Sequence, residues 1–415
     1  MPVLHVRTVA VGAVRDLAER IPPGASAVWL QDGAGLIGVG RAWEVRTRGA
    51  DRFARAAETF RALAARAVVD DEIEAPTSGL VALGSFSYAA ESARESVLMV
   101  PQTLLGAHEG RAFLTVVGVD APPADVDADA VFPFAPPADA SGAFTIEPDH
   151  TPEEYRALVR DALAHIDAGA AEKIVISERS TVTAEQQIDP ARLARRLSRL
   201  YPSCWTYLLE DIVGASPEML AQTADGRLFS RVLAGTRSVA DSGSLTEEDR
   251  AAFHADPKER AEHAYAVDSV TGRLDPVASD VRASSAPFVL RLPGLEHLAS
   301  DVEAVLRPGV TSLEVAAQLH PSAAVSGTPR DRADELIAEL EPHDRGGYAS
   351  PVGWMNARGD GQWAIALRMA HIVDGTTVRL QAGGGLVAGS DPVSEHAEVL
   401  AKTRPVLRAL RGEGD

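Results

Sequence analysis

The stretch that most restricts how this 415-residue chain can fold runs from Val378 to Leu407. A strand-like run through three consecutive glycines, VRLQAGGGLVAG, leads directly into SDPVSEHAEVLAKTRPVL. Asp391 followed by Pro392 reads as a helix start. Aspartate accepts from a first-turn N–H, and proline lacks the N–H that would go unpaired there. On that helix Glu395, Glu398 and Lys402 stand at i, i+3 and i+7 and share one face. Taken alone, Glu398 and Lys402 are an ordinary solvated pair. Gly383, Gly384 and Gly385 change the balance, because glycine exposes backbone N–H groups and lets a ligand approach the chain. Amides, a cation and two carboxylates converging suggest a site for an acidic substrate and a metal ion.

Asp256-Pro257 repeats the helix start, ahead of PKERAEHAYAVDSVTGRL. Glu259 and Glu262 repeat the spacing of Glu395 and Glu398. Glu259 stands where a capping-box partner would, whereas Glu262 does not. Four carboxylates from two helices could hold one hard cation, and Mg2+ takes only one or two directly, keeping water and substrate oxygens. The alternative is two helices of solvated acids. The net charge of −19, from 40 basic and 59 acidic residues, argues against nucleic acid or an anionic membrane as the main partner. A small anionic substrate would then need local basic residues or a metal. No apolar run reaches membrane-spanning length, and the N-terminus lacks a signal-peptide core. The one cysteine, Cys204, permits no internal disulfide, which fits a reducing cytoplasm; in PSCWTY it reads as a buried structural thiol.

Other candidates are spread along the chain. Thr151 to Gly169 is a helix with a capping box, Thr151 to Glu154, and apolar residues at helical spacing. KIVISER follows as a strand with Lys173, Val175 and Ser177 on one face; by itself a lysine opening a strand reads as a solvated edge. Glu218, after Gly214-Ala215-Ser216-Pro217, reads as a helix start or a tight turn. His297, in RLPGLEHLASDVEAVL, falls where a strand passes into a loop or helix and reads first as a packed histidine. WAIALRMAHIV forms a hairpin with VRLQAGGGLV through DGTT, with Ala364, Ala366, Arg368 and Ala370 on one face. An arginine among alanines is costly unless it has an anionic partner, and a ligand carboxylate gripped bidentately would serve. Residues 1–120 read as scaffold, with strand-like runs and one helix from Asp51 to Val69. Residues 121–142, rich in Ala, Pro and Asp, read as a loop. DSGSLTEEDRAAFHAD reads as an exposed loop with a short helix.

In order, EKIVISER, GASPEML, LAGTR, PKERAEH, EHLASDVEAVL, LHPSAAVSGTPR, RGGYASPVGW, ALRMA, LQAGGGLVAGSDP and EHAEVLAK resemble the chorismate-utilising enzymes. These are the isochorismate synthases, the salicylate synthases and the large subunits of anthranilate and aminodeoxychorismate synthases. The likeness covers residues 151–410, with 1–120 as the variable part of one 1–415 enzyme domain. It implies an α+β fold, a single large domain of two packed, mostly antiparallel sheets with helices outside and the site between them. It also implies chorismate as substrate and Mg2+ as cofactor. Carried over by position, Glu262 and Glu398 would be the principal metal carboxylates, with Glu259 and Glu395 in support. Arg368, Tyr348, Lys402 and the backbone of Gly383 and Gly385 would hold the substrate carboxylates. Gly235 and Thr236 would line the pocket, and His297 would lie near the side chain that is displaced or retained. His396 departs from the aromatic residue usual beside Glu395.

Lys173 selects within the family, since the water-adding members resemble one another in carrying lysine there as general base. Adding water at ring carbon 2 and expelling the carbon 4 hydroxyl needs a base on one side and an acid on the other. Lys173 would be the base and Glu218 the acid, which requires a glutamate that keeps its proton. Ala324, in PSAAVSG, resembles the isochorismate synthases, where salicylate synthases carry threonine. The expectation is therefore an isochorismate synthase, a cytoplasmic monomer needing no glutaminase subunit. Salicylate synthase is the first alternative and an ammonia-using large subunit the second. A non-catalytic relative would have little physical reason to keep Lys173, Glu218, Glu262, Glu398 and Arg368 together.

Overall fold

In a computed structural model describing residues 1–134, 142–238, 247–292 and 295–413, the helix starts read at Thr151, Asp256 and Asp391 are helix starts. Thr151 and Glu154 form the full capping box of helix Pro152–Asp167. Asp256 accepts from the N–H groups of Lys258 and Glu259 at the head of Pro257–Thr271. Asp391 accepts from that of Ser394 at the head of Pro392–Leu410. The strand after the first helix, Lys173–Ala184, alternates as its sequence requires. Ile174 and Ile176 pack under Tyr155 and Val159, and Lys173, Val175 and Ser177 take the opposite face.

The strands form a 13-stranded and a 10-stranded sheet, and among the described residues every pairing but one is antiparallel. The two sheets share one core. Trp29, Tyr207 and Ile212 of the larger meet Leu83, Trp354 and Trp363 of the smaller in a single buried cluster. On the outer face of the larger sheet, Val28, Leu30, Leu208 and Val213 pack against Leu193, Leu197, Val406 and Ala409 from two helices. This is the α+β architecture of two packed sheets with helices outside. The first 120 residues supply strands to both sheets, including Ala27–Gln31 and Val81–Ser85.

Several local expectations are corrected. The helix expected over Asp51 to Val69 ends at Ala64, and Val68 and Val69 belong to the strand Val68–Asp71, where β-branched side chains fit better. Leu4–Ala10, not expected as a strand, pairs with it in parallel. The 121–142 loop contains a short helix, Ala128–Val131, and its residues 135–141 lie outside the described residues. So do residues 239–246, which include the first six of the acidic stretch; the short helix expected in that stretch is Glu247–Ala255.

The correction that matters for function concerns two crossings between the sheets. Ile212–Ser216 lies in the larger sheet and Met219–Ala224 in the smaller, so the chain crosses at Pro217 and Glu218. Glu218 therefore starts no helix. Gly361–Ile365 lies in the smaller sheet and Met369–Ile372 in the larger, so the chain crosses back at 366–368. Only 369–372 pairs with Thr377–Val387 in the expected hairpin. Arg368 takes a left-handed φ of 51°, which ends the alternation that would have placed it among the alanines. The crossings are stitched together: Ser216 Oγ donates to the Ile365 carbonyl (2.5 Å), Ile365 N–H to that of Glu218 (3.1 Å) and Ala215 N–H to that of Arg368 (3.2 Å).

Candidate active site

Between the two crossings lies a cavity of about 510 Å3, partly open to solvent. Its floor is Val175, Gly383 and Gly385, on the face of two strands paired with registers Lys173↔Val387, Val175↔Gly385 and Ser177↔Gly383. Glu218 and Arg368 enter from the crossings, and Tyr348 and Ala324 from loops. His297 is the third residue of the strand Leu295–Leu306, where its backbone pairs with that of Thr236. Helices 257–271 and 392–410, laid over strands 227–238 and 377–387, bring in Glu262 and Lys402.

Lys173 is no solvated edge; it is fully buried. Its Nζ stands 3.1 Å from Glu262 Oε1 but off the hydrogen-bonding direction, so the amine has a counter-ion and no well-aligned acceptor. Burial pushes the Glu262 carboxyl up, and the ammonium groups of Lys173 and Lys402 outweigh it, holding the group below the usual carboxylate range. Glu218 has the opposite balance. Burial pushes it up to about 8, only partly offset by the Leu233 N–H at 3.5 Å and by more distant cations. One carboxyl is thus held ionised and the other protonated within one cavity. Lys402 donates to the Gly383 carbonyl (2.9 Å) and pairs with Glu398 (2.7 Å). Arg368 approaches His297 Nε2 at 3.3 Å, and its Nε is buried without a partner among the described residues. Burial, and then the Arg368 charge, push His297 well below its usual range, so its ring is a neutral acceptor.

The remaining expected residues lie just outside the lining. Gly235 has a φ of 79°, and a Cβ there would stand 3.0 Å from Glu259 Oε2, so glycine lets the helix approach. The side chain of Thr236 lies outside the described residues. Glu395 is buried, 2.6 Å from Lys258 Nζ. Among the described residues no three acidic, histidine or cysteine side chains stand close enough together to hold a metal. Instead Glu262, Glu398 and Glu395 each pair with a lysine. The donor chemistry still fits Mg2+, since the set is all oxygen and this ion needs few direct protein ligands. Glu262 also sits directly on bare backbone, where a Cβ on Gly385 would approach its Oε1 to 2.3 Å. His396 faces away from the cavity, packed on Tyr155 and 3.2 Å from Glu178, which burial pushes up to about 7.

Sequence reasoning missed the supports of the site. Arg345 and Glu341 form a fully buried pair (2.6 Å), and Glu341 accepts from both Ser177 N–H and Ser177 Oγ, bracing the Lys173 strand. His263 bridges the Ala234 carbonyl and Ser300 Oγ, pinning the helix that carries Glu262. Lys258, His263 and Arg345 stood within the matched strings, but only burial separates them from surface charge.

The glycine spacing yields a sharp expectation. A Cβ on Gly385 would meet Glu262 Oε1 at 2.3 Å and Lys173 Cε at 2.8 Å, whereas one on Gly384 meets nothing nearer than 3.4 Å. Gly385→Ala is expected to displace the Lys173–Glu262 pair, lowering stability by about 1–3 kcal/mol and turnover with it. Gly384→Ala is expected to be close to neutral. Parallel melting curves and turnover rates check both; equal effects would mean that this strand face does not set the site.

The family model of the chorismate binding enzyme matches residues 26–411. Isochorismate synthase DhbC of Bacillus subtilis is 34% identical over 283 residues, covering 65% of this chain and 71% of the relative. Anthranilate synthase component 1 of Streptomyces coelicolor is 38% identical over 272 residues, covering 63% and 52%. The structure of MenF, the menaquinone-specific isochorismate synthase from Escherichia coli, superposes with a TM-score of 0.80 at 23% identity over 99% of this chain and 95% of that one, a likeness of fold. With a matching family model over nearly its whole length and the fold to go with it, the chain belongs to the chorismate-binding enzyme family.

Proposed function

We propose that this protein is an isochorismate synthase, an isomerase that interconverts chorismate and isochorismate with Mg2+. The observation that carries this reading is a fully buried lysine 3.1 Å from Glu262, behind a cavity that Glu262 lines together with Glu218, a carboxyl that burial pushes up to about 8. Lys173, as the base, takes a proton from water as its oxygen bonds to ring carbon 2. Glu218 gives its proton to the hydroxyl leaving carbon 4, so water is gained and lost and the ring double bonds shift. Arg368, Tyr348, Lys402 and the backbone at Gly383 and Gly385 bind the substrate carboxylates. His297, accepting from Arg368, holds that guanidinium in place. Glu262 and Glu398, supported by Glu259 and Glu395, would hold Mg2+, which when bound supplies positive charge for the ring carboxylate. Gly235 and Thr236 border the pocket, and Ala324 leaves room where threonine would favour the salicylate branch.

The same reading has the enzyme act alone, as a cytoplasmic monomer without a glutaminase subunit. Among the described residues no helix is long and apolar enough to cross a membrane. The 38% identity to an anthranilate synthase component keeps an ammonia-using reaction as the second reading. The test is chromatography of products from purified protein, chorismate and Mg2+ without ammonia. A chorismate–isochorismate mixture that stalls at equilibrium, forms no pyruvate and vanishes with EDTA is expected. Salicylate with pyruvate, or silence until ammonia is added, would overturn the assignment.

A further inference from the structure

The sheet face that carries Lys173, Val175 and Gly385 continues along the same strands into a second cleft of about 1160 Å3, part of it open solvent. Arg179 follows Ser177, and Gln381 and Arg379 precede Gly383, all at two-residue steps on that face. The registers Met369↔Gln381 and His371↔Arg379 add a third strand. At about 3.3 Å per residue, Arg379 lies roughly 20 Å along the strand from Gly385. Tyr348 lines both cavities.

In a strongly acidic protein this cleft is basic, and its acids are already committed. Asp211 accepts from Arg94 (2.7 Å) and His371 (2.7 Å), and Asp149 from Arg179 Nε (2.7 Å). Asp344 accepts from Ser92 Oγ and from the N–H groups of Ala93 and Gly346. The side chain of Arg379 has no hydrogen bond or ion pair among the described residues. A hydrogen-bond chain of fixed direction ends at the same place. The single hydroxyl proton of Ser177 goes to Glu341 (2.8 Å), so Ser177 Oγ accepts from Gln381 Nε2 (2.8 Å). The second N–H of that amide points to His343 Nε2 (2.9 Å). With Nε2 accepting from that amide, the ring proton is on Nδ1, which is buried without a partner among the described residues, and burial shifts the ring below its usual range. Unused donors at a cleft whose carboxylates are spent describe an anion site.

We propose that this cleft binds a small anion bearing carboxylate or phosphate oxygens, held by Arg379 and the terminal nitrogens of Arg179, with a small rotation of His343 supplying a third donor. The site is separate from the reaction cavity and does not depend on which reaction the protein catalyses. Isothermal titration of inorganic phosphate and of malonate into the full-length protein, without chorismate, tests it. Saturable binding of at least one is expected, and the stronger of the two names the ligand class. Arg379→Ala is expected to weaken that binding about tenfold or more, and Arg368→Ala, whose side chain lines the reaction cavity and not this cleft, to leave it unchanged. No saturable binding, or a loss that follows Arg368→Ala and spares Arg379→Ala, would overturn the proposal. Melting curves of both variants separate lost binding from lost folding.

Discussion

Lys173→Ala is expected to lower chorismate turnover by roughly 10²–10⁴-fold, the range a positioned general base supplies. The same change is also expected to weaken the fold. It leaves Glu262 in a buried setting without its 3.1 Å counter-ion, and breaking a buried pair costs about 3–5 kcal/mol. The cost falls toward the lower end here because the Lys402 charge also acts on Glu262. Sequence alone, which places Lys173 on an exposed strand edge, gives no reason to expect any loss of stability. Lost activity in this variant is therefore ambiguous by itself, and a small amine resolves it. If the lysine is the base, methylamine added to the folded variant restores turnover in a concentration-dependent way. Refolding stability measured alongside should not move with the amine. Full activity in the unassisted variant would remove Lys173 from the mechanism.

Glu218→Gln is expected to abolish turnover while making the protein more stable at alkaline pH. The sign follows from the proton balance. The ordinary value of 4.5 applies to the unfolded chain, and burial raises the folded one to about 8. Below pH 4.5 the group is neutral in both states and has no effect. Between 4.5 and 8 the folded state holds a proton that the unfolded state has released, so stability falls as pH rises. Above 8 the penalty is complete. At roughly 1.4 kcal/mol per pH unit the ceiling is about 5 kcal/mol. Glutamine carries no charge at any pH and escapes the penalty. The gap between variant and parent, from denaturant unfolding without ligand, is expected to open from near zero at acid pH to a few kcal/mol above pH 8. A gap that does not change with pH would mean that Glu218 is not buried as a neutral acid, and the acid role would fall with it. In the parent, activity is correspondingly expected to decline as pH rises through about 8, when the proton donor is lost.

Helix starts at Thr151, Asp256 and Asp391, the alternating face of Lys173, Val175 and Ser177, and the 369–372 hairpin were all legible in the sequence. Each depends on contacts within a few residues: a cap oxygen and the N–H groups next to it, or a two-residue period. The candidate chemistry was legible for a related reason, since charged residues stand at helical spacing beside glycines where a Cβ has no room. Tertiary structure alone decided what those residues experience. Sequence could not tell that the chain changes sheets at Glu218 and again at Arg368, because strand-like residues flank both crossings and only the left-handed turn at Arg368 reveals the second. Nor could it distinguish Lys173 in full burial from a lysine on an edge, or pick out Glu341, Arg345 and His263 as supports. Those differences come from desolvation and from partners more than 20 residues away in most cases, such as Ser177 with Glu341 across 164 positions. The sequence by itself determined which groups are present and how they are spaced on their own elements. The fold decided which of them are out of water, and in that setting Glu218 keeps its proton while Glu262 gives its own up.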